Sequence, residues 1–449
     1  MTSVRLLALY LRQRPNVRSW DEALGGSEQF VIDYLASAVF ENLPETLRRF
    51  LLRTSILDRV SGPLGDHLMD GMTPAGSVLL QQLEADGIFT SMLDEDGVWY
   101  RYHPLFRRTL TRILMAEVAP QEIAGLYERA ATWHESQGWY EEAIGLLVSG
   151  KQVAAAAAVA GRHRHELLDR QDYHRLEHWL TLFPADAVLG EIELLFIKAY
   201  VDQVQFRIHD LTMILQQIDT LLSVIPVELP QIGEWRGEVA SLRALITSFR
   251  SDGSQTLTLG LYALEHIRPG SVIARAMALL HTAYGYHMSG ELQPAYELLD
   301  ASANTTLIAR DIAVLRSRTL RLYVDLVAGD LMAMRNAFPR IIDLAKSASL
   351  ATTAAWAHYF YASACYLQND LAAAEQHFAA VVGLELSAHS LCYVHSAIGL
   401  ALTHQAQGRP DVASRAIVSA REYALRMQNR DLSEIVDAAV AELEVRQGY

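Results

Sequence analysis

Four stretches of the chain follow one pattern: GELQPAYELL (290–299), GDLMAMRNAF (329–338), NDLAAAEQHF (369–378) and GRPDVASRAI (408–417). Their first residues lie 39, 40 and 39 positions apart, and each stretch begins with a pair of residues that favours a turn. A fixed period of this length is typical of helical hairpins stacked into a solenoid. Weaker turn signals at Gly138 and Gln171 extend the pattern upstream and predict about eight hairpins from 120 to 449.

Small and large apolar residues occupy fixed places around the four turns. Alanine or methionine stands five residues after each turn, a large apolar residue stands nine after it, and in three stretches an alanine stands seven before it. Small residues let the two helices of a hairpin approach closely, and large residues fill the seam to the next hairpin. We therefore expect burial of Ala283, Ala295, Leu299, Met334, Phe338, Ala362, Ala374, Phe378, Ala401, Ala413 and Ile417.

The composition disfavours several classes of protein. The chain has 449 residues, of which 51% are hydrophobic, and its net charge of −14 disfavours nonspecific binding of nucleic acid. Cys365 and Cys392 are the two cysteines, so we expect no disulfide framework, no cysteine-based zinc site and a reducing, cytoplasmic location. No apolar stretch reaches the ~20 residues that span a bilayer, so we expect no membrane partner.

The residues before the repeats follow a different pattern. Two amphipathic helices, FVIDYLASAVFENL (30–43) and ETLRRFLLRTSIL (45–57), are followed by two shorter ones. IFTSMLDEDGVWYRYH (88–103) then predicts one short β-hairpin, and a further helix follows His103. Helices followed by one hairpin and a closing helix describe a winged-helix module over about 28–117.

Four segments in a fixed order carry a resemblance to a known family. They are LPETLRRFLLRTSILDRVSGPLGDHLMDG (43–71), LLQQLEADGIFTSMLDEDGVWYRYHPLFRRTL (79–110), LYERAATWHESQGWYEEAIGLLVSGK (126–151) and HRLEHWLTLFP (174–184). They resemble the middle and the C-terminal arm of the MalT-like regulators, which are LuxR-type members of the STAND signal-transduction ATPases. The resemblance implies a TPR-like superhelix that senses an inducer or a partner protein, in a regulator of transcription that is active as an ATP-bound oligomer.

The sequence departs from that family at both ends, because it shows no P-loop before residue 28 and no helix-turn-helix after residue 425. The resemblance implies a remnant of the helical subdomain and a linker over 1–27, the winged-helix module over 28–117 and the superhelical sensor over 118–449. We expect a fold dominated by α-helices: a TPR-like superhelix with an N-terminal winged-helix module. An ATPase domain would come from another chain, or the sequence is part of a longer protein. We expect no catalytic activity, no cofactor, no metal and no direct DNA binding.

Among single residues, His103 is the strongest candidate for a functional role. The resemblance implies that its ring reaches the nucleotide phosphates when an ATPase domain is present, and a structural histidine at the hairpin exit is the alternative.

Three weaker motifs favour ordinary structural roles. GLLVSGKQ (145–152) fits G-x-x-x-x-G-K, but it ends in glutamine and follows a helix, which predicts an ordinary turn. The histidines between 163 and 178 predict a solvated surface rather than a metal site, and the winged-helix arginines predict domain packing rather than DNA binding.

The concave face of the superhelix is the predicted binding surface. The first helix of each hairpin lines this face, so counting back from each turn enumerates its residues. Aromatic and hydrogen-bonding side chains gather there, as in sites for a sugar, a peptide or another small effector. Filling of the superhelix interior is an alternative of nearly equal weight, and a protein-interaction scaffold is the alternative function. The predicted site residues are Tyr284, His287, Arg316, Tyr323, Trp356, Tyr359, Tyr366 and His395.

Overall fold

The computed structural model describes residues 40–69, 74–226, 229, 231–304 and 310–447, with the backbone alone for 302–304 and 310–313. These residues are predominantly helical, which confirms the predicted fold class, and no helix among them is long and apolar enough to cross a membrane. The chain divides into two compact units, of which one ends at Ala160 and the other begins at Gly161. The region predicted over 1–27 and most of the helix predicted over 30–43 lie outside the described residues.

The first unit contains the winged-helix elements and one helical hairpin. Its helices are α1 (Glu45–Thr54), α2 (Gly62–Leu68), α3 (Gly76–Ala85), α4 (Pro104–Glu117), α5 (Pro120–Ser136) and α6 (Tyr140–Ser149). Its strands are β1 (Val60–Ser61), β2 (Thr90–Met92) and β3 (Trp99–Tyr102). Strands β2 and β3 form the predicted hairpin, with Thr90 opposite Tyr102 and a left-handed Gly97 (φ +66°) in the turn.

Strand β1 is an element that the sequence pattern does not predict. Val60 lies opposite Tyr100 of β3, so the antiparallel sheet has the order β1-β3-β2. A run of two residues is too short to show the alternation by which strands are recognised. Ser61, directly before α2, therefore lies in an edge strand of the sheet.

Helices α1, α2 and α4 enclose the apolar core of the winged-helix module. Phe50, Leu64 and Phe106 are fully buried in it. Gly65 allows α2 to approach α1, because a Cβ at this position would lie 2.6 Å from the ring of Phe50. The hydroxyl groups of Thr54 and Tyr102 are 2.8 Å apart, which ties α1 to the sheet.

An aromatic cluster joins the hairpin α5–α6 to the winged-helix module. The ring of Trp99 in β3 lies 6.2 Å from that of Trp133 and 5.5 Å from that of Trp139. The Arg59 guanidinium lies over both Trp99 and Trp139 and is 3.1 Å from a carboxylate oxygen of Glu142. The first hairpin of the helical region consequently belongs to the same compact unit as the winged helix.

The second unit continues the series of helices, and the division between the units falls within α7. The helices are α7 (Val153–Asp169), α8 (Tyr173–Thr181), α9 (Ala185–Gly190), α10 (Ile192–Val204), α11 (Ile208–Val224), α12 (Gln231–Phe249), α13 (Gly253–His266), α14 (Val272–Met288), α15 (Leu292–Asn304), α16 (Arg310–Ala328), α17 (Leu331–Ser347), α18 (Ala351–Leu367), α19 (Leu371–Val382), α20 (Ser390–Ala406), α21 (Pro410–Arg426) and α22 (Arg430–Gln447). With α5–α6, the described helices form eight successive hairpins, as predicted, together with the short α9 and the final α22.

The predicted turns are the points at which the backbone reverses. Gly290, Gly329 and Gly408 have φ between +74° and +78°, and Asn369 has φ +62°, which is the left-handed conformation that ends many helices. All eleven apolar residues predicted to be buried are buried, none of them more than 7% exposed. The periodic spacing thus fixes both the hairpin turns and the packing inside the hairpins.

The second unit closes on itself through contacts between the turn that joins α10 to α11 and the start of the last helix, α22. The side-chain amide of Asn429 donates to the carbonyl oxygens of Gln205 at 2.7 Å and Phe206 at 3.0 Å. The Asp431 carboxylate accepts a hydrogen bond from the backbone N–H of Ile208 at 3.0 Å. Phe206 is itself buried among side chains of α20, α21 and α22. We refer to these contacts as the ring closure.

Candidate functional site

The first helices of the hairpins surround a central cavity of about 410 Å³ in the second unit. Its wall comes from α8, α10, α12, α14, α16, α18 and α20 and from residues beside them. Sites for small molecules commonly have volumes of about 300–1,000 Å³, so the central cavity is large enough for one small ligand.

Aromatic side chains form much of the cavity wall. Trp356 stacks on Phe360 with 5.5 Å between ring centroids, and its ring lies 5.8 Å from that of Tyr359. Across the wall, Tyr284 and Tyr323 lie 5.4 Å apart. Burial raises the pKa of Tyr359 to about 12, so its phenol is protonated and uncharged near neutral pH. Such a surface favours flat or apolar groups.

Three histidines add uncharged hydrogen-bonding groups to the wall. Burial lowers the pKa of His281 to about 3 and the pKa values of His389 and His395 to about 4. Nδ1 of His395 lies 3.3 Å from the Tyr359 hydroxyl, and Nε2 of His389 lies 3.0 Å from the side-chain amide of Gln203. All three rings are therefore neutral near pH 7.

Arg316 places a cation on the wall and is only 5% exposed. Its Nη2 donates to the backbone carbonyl of Asp169 at 2.9 Å, and its Nη1 lies 3.9 Å from the Asp169 carboxylate, beyond hydrogen-bonding distance. Burial lowers the pKa of Arg316, and the neighbouring Tyr173 and Asp169 oppose that shift. The Asp169 carboxylate also accepts a hydrogen bond from the backbone N–H of Ile273 at 2.8 Å, so both charged groups are held in place.

Six of the eight predicted site residues line this one cavity: Tyr284, Arg316, Tyr323, Trp356, Tyr359 and His395. His287 and Tyr366 do not line it. The reason is helical geometry, because Tyr366 lies seven residues, or about two turns, beyond Tyr359 towards the end of α18. His287 packs beside the tyrosine pair, with its ring 6.4 Å from that of Tyr323. Ligand binding by the six remains a prediction.

Residues of the unit's first helices complete the wall, and the periodic count does not find them. Gln171, Tyr173, Gln203 and Phe206 come from the region where the turn spacing is irregular. The amide of Gln171 donates to the Thr353 hydroxyl at 2.8 Å, across 182 positions of sequence. No local sequence signal indicates such a pairing, because it depends on where the superhelix closes.

His103 lies directly after β3 and before α4, as the sequence predicts. Its backbone N–H donates to the carbonyl of Phe89 at 2.7 Å, and its ring faces that of Phe89. The ring Nδ1 is buried and has no hydrogen-bond partner among the described residues. Contact with a nucleotide remains a prediction for this residue.

The stretch 145–152 consists of the end of α6 and the turn into α7, which confirms that it is an ordinary connection between helices. Gly150 packs against Tyr127, where an added Cβ would approach the ring at 2.8 Å. A phosphate-binding loop would instead join a strand to a helix N-terminus.

One group of side chains has the composition of a metal site: the ligand atoms of His165, Glu234 and Glu238 lie within 4.8 Å of one another. The carboxylates already have cationic or hydrogen-bonding partners. Glu238 is 2.5 Å from the Arg164 guanidinium and accepts from the Tyr200 hydroxyl at 2.9 Å. Burial by itself would raise the pKa of Glu238, but Arg164 and His165 lower it to about 2. This group is a buried ionic network that joins α7, α10 and α12.

Several arginines of the winged-helix module form ion pairs within the first unit. Arg53 is 2.8 Å from the Glu122 carboxylate, and Arg107 pairs with Asp58. A cavity of about 1,010 Å³ in this unit is lined by Arg107 and Arg59, which pairs with Glu142. These ion pairs agree with a packing role, while the expected absence of DNA binding remains a prediction.

Comparison with known proteins adds two family matches and one structural likeness. Residues 36–122 match the family model of the MalT winged helix domain, and residues 237–448 match that of the MalT-like TPR region. Among solved structures, the chain is similar to a STAND (signal transduction ATPase with numerous domains) protein with a tetratricopeptide repeat sensor from Pyrococcus horikoshii. The two chains share 12% sequence identity with a TM-score of 0.46, over 97% of this chain and 74% of that one.

Proposed function

We propose that this chain, which carries the winged helix domain and the TPR region of the MalT-like proteins, is the effector-sensing part of a STAND regulator of transcription. In this proposal a small inducer binds in the central cavity. The observation that supports it most strongly is the convergence of Tyr284, Arg316, Tyr323, Trp356 and Tyr359 on that cavity.

The ring closure favours a small inducer over the alternative, a scaffold that binds an extended peptide along the concave face. Asn429 and Asp431 hydrogen-bond to the backbone at Gln205–Ile208, so the α10–α11 turn meets the start of the last helix, α22. A superhelix that binds a long peptide instead presents an open groove along its length. The peptide scaffold remains the second candidate function, and the ligand screen described below distinguishes it from the small-inducer proposal.

A ligand in the central cavity would contact early and late parts of the second unit. Gln171 and Phe206, in the turns before α8 and after α10, line the same space as Trp356 of α18 and His389, directly before α20. A ligand shifts an equilibrium only when it binds two arrangements with different affinity. We propose that the inducer binds more tightly when the ring is closed, and that the change in closure is the signal passed to an ATPase domain.

The test is a thermal-unfolding screen of the purified full chain with sugars, short peptides and small organic acids, followed by two matched variants. The first, Trp356→Ala with Tyr359→Ala, removes aromatic surface from the cavity. The second, Tyr366→Ala, changes the same helix outside the cavity. A ligand at 100 times its Kd stabilises a protein by about 2.7 kcal/mol. We expect a ligand to stabilise wild type and Tyr366→Ala but not the double variant.

A ligand that stabilises the double variant as much as wild type would show that the central cavity is not the binding site. Tight binding of extended peptides, with competition by none of the small molecules, would favour the scaffold.

We further propose that the chain is cytoplasmic, which is supported by the free and buried thiols of Cys365 and Cys392. It is expected to show no ATP hydrolysis by itself.

A further inference from the structure

The charge on the wall of the central cavity has one sign. Its described lining contains no aspartate, glutamate or lysine, although the chain as a whole has a net charge of −14. The depressed pKa values of His281, His389 and His395 leave those rings neutral. Arg316 is therefore the single charged side chain of the described wall, with Asp169 close to it.

Several hydrogen-bonding atoms of the cavity wall have no partner among the described residues, and two of them belong to that guanidinium. Nε and Nη1 of Arg316 are buried and have no hydrogen-bond partner among the described residues. Oε1 of Gln171 and Nε2 of His281, both on the cavity wall, are also without one there. A buried guanidinium with free N–H groups is costly, because hydrogen bonds to charged groups stabilise and their absence leaves the desolvation uncompensated. The Asp169 carboxylate, 3.9 Å from Nη1, faces the guanidinium without a hydrogen bond, so an oxygen acceptor at bonding distance is the partner that these N–H groups lack.

Other polar groups of the wall already have partners within the protein. The Thr319 hydroxyl donates to the carbonyl of Leu315 at 2.9 Å, and the Thr352 hydroxyl donates to that of Ser387 at 2.7 Å. The Tyr359 hydroxyl lies 3.3 Å from His395. Apart from the free atoms of Gln171 and His281, a ligand with many hydroxyl groups would find few partners here to replace the hydrogen bonds that it loses to water.

We infer that the central cavity takes a small organic acid, in which an aromatic or other apolar body packs against Trp356 and Tyr359 and one anionic group is bound by Arg316. This inference rests on the proposed function, since it names the chemical class of the inducer. An N–H group of Nε or Nη1 would donate to an oxygen of the acid group, and the aromatic wall would exclude water from the rest of the ligand. Amines and uncharged oligosaccharides are disfavoured.

A pair of fluorescent probes tests the inference. 8-Anilinonaphthalene-1-sulfonate carries one anionic group, and N-phenyl-1-naphthylamine has the same aromatic skeleton without it. Both are titrated against the full chain, with stoichiometry and quenching of tryptophan fluorescence recorded. We expect wild type to bind one sulfonate probe per chain and to bind it at least tenfold more tightly than the uncharged amine.

Arg316→Gln is expected to weaken binding of the sulfonate at least tenfold and to leave binding of the amine unchanged, which also reports an intact cavity. Arg318→Gln, on the same helix but outside the cavity lining, is the matched control and should bind both probes as wild type does. The double variant Trp356→Ala with Tyr359→Ala should bind both probes more weakly than wild type does.

Two results would overturn the inference and separate it from the proposed function. The anionic class is wrong if wild type binds the amine as tightly as the sulfonate, or if Arg316→Gln keeps full affinity for the sulfonate. In either case the cavity remains the binding site if the double variant loses affinity for both probes. If both probes bind the double variant as they bind wild type, the proposed function fails as well. The comparison of the two probes on wild type requires no variant to fold.

Discussion

Burial of the histidines of the central cavity lowers their pKa values, and this makes the stability of the folded chain depend on pH. His281 and His389 are only 3% and 7% exposed, and burial keeps their rings uncharged. An unfolded histidine has a pKa of about 6.5, so below that pH the unfolded chain binds protons that the folded chain does not. Their contribution to stability is therefore present above pH 6.5 and is lost as the pH falls towards 4.

We predict that the melting temperature falls between pH 6.5 and pH 4, because His281, His389 and His395 must be buried uncharged. Each contributes a slope of at most about 1.4 kcal/mol per pH unit to the free energy of unfolding. His281→Leu should reduce the slope, and the variant is compared with wild type at pH 8 and pH 5 by chemical denaturation. An equal difference between the two proteins at both pH values would contradict this assignment.

At the scale of the element, a left-handed residue followed by an aspartate defines several of the hairpins. Asp330 and Asp370 follow Gly329 and Asn369, and their carboxylates accept hydrogen bonds from the backbone N–H of Ala333 at 3.0 Å and Ala373 at 3.2 Å. The first residue ends one helix and the second caps the next. This is why the turns could be read from the sequence.

Removal of one such cap should have a small and specific effect. We predict that Asp370→Ala lowers the free energy of unfolding by about 1 kcal/mol, because the first turn of α19 loses its side-chain acceptor. Asp370→Asn keeps an oxygen in the same place and should retain most of the stability. Urea denaturation of the three proteins measures the difference. Equal losses in both variants would show that the charge of Asp370, and not its capping oxygen, is responsible.

At the scale of the whole second unit, the ring closure gathers side chains that lie far apart in the chain. Asn429 is 3% exposed and hydrogen-bonds to residues 223 and 224 positions earlier. Its side-chain oxygen also accepts from the backbone N–H of Leu432 at 3.1 Å, which caps α22. One side chain thus caps the start of α22 and joins it to the α10–α11 turn.

These two roles separate in a pair of variants. Asn429→Ser keeps an acceptor for the cap but loses the donor to Gln205 and Phe206, and we predict a loss of about 2 kcal/mol, since two buried carbonyl groups lose their partner. Asn429→Ala should lose more, because the cap is removed as well. Thermal unfolding and hydrogen exchange at Phe206 provide the measurement. Wild-type stability in Asn429→Ser would mean that the ring closure depends on the apolar contacts of Phe206 alone.

The sequence was sufficient for the winged helix, the series of hairpins and four of the eight tryptophan, tyrosine and phenylalanine side chains that line the cavity. Turn residues such as Gly408 and buried residues such as Ala374 and Phe378 act within about 40 positions, so their spacing is visible as a period. The same local count placed Trp356 and Tyr359 on the concave face. It also included His287 and Tyr366, because a period assigns a helix face but not a distance along the helix.

Only the tertiary structure showed that the concave face encloses a cavity and that Arg316 places a charge on its wall. Arg316 meets Asp169 across 147 positions, and Gln171 meets Thr353 across 182. Each repeat contacts its neighbours according to local pattern, whereas the closure depends on small rotations summed over all the hairpins. No single stretch of sequence determines the total rotation between the first and last hairpins. The repeat pattern could therefore predict a binding surface, whereas the cavity and the unpartnered guanidinium of Arg316 were visible only in the folded chain.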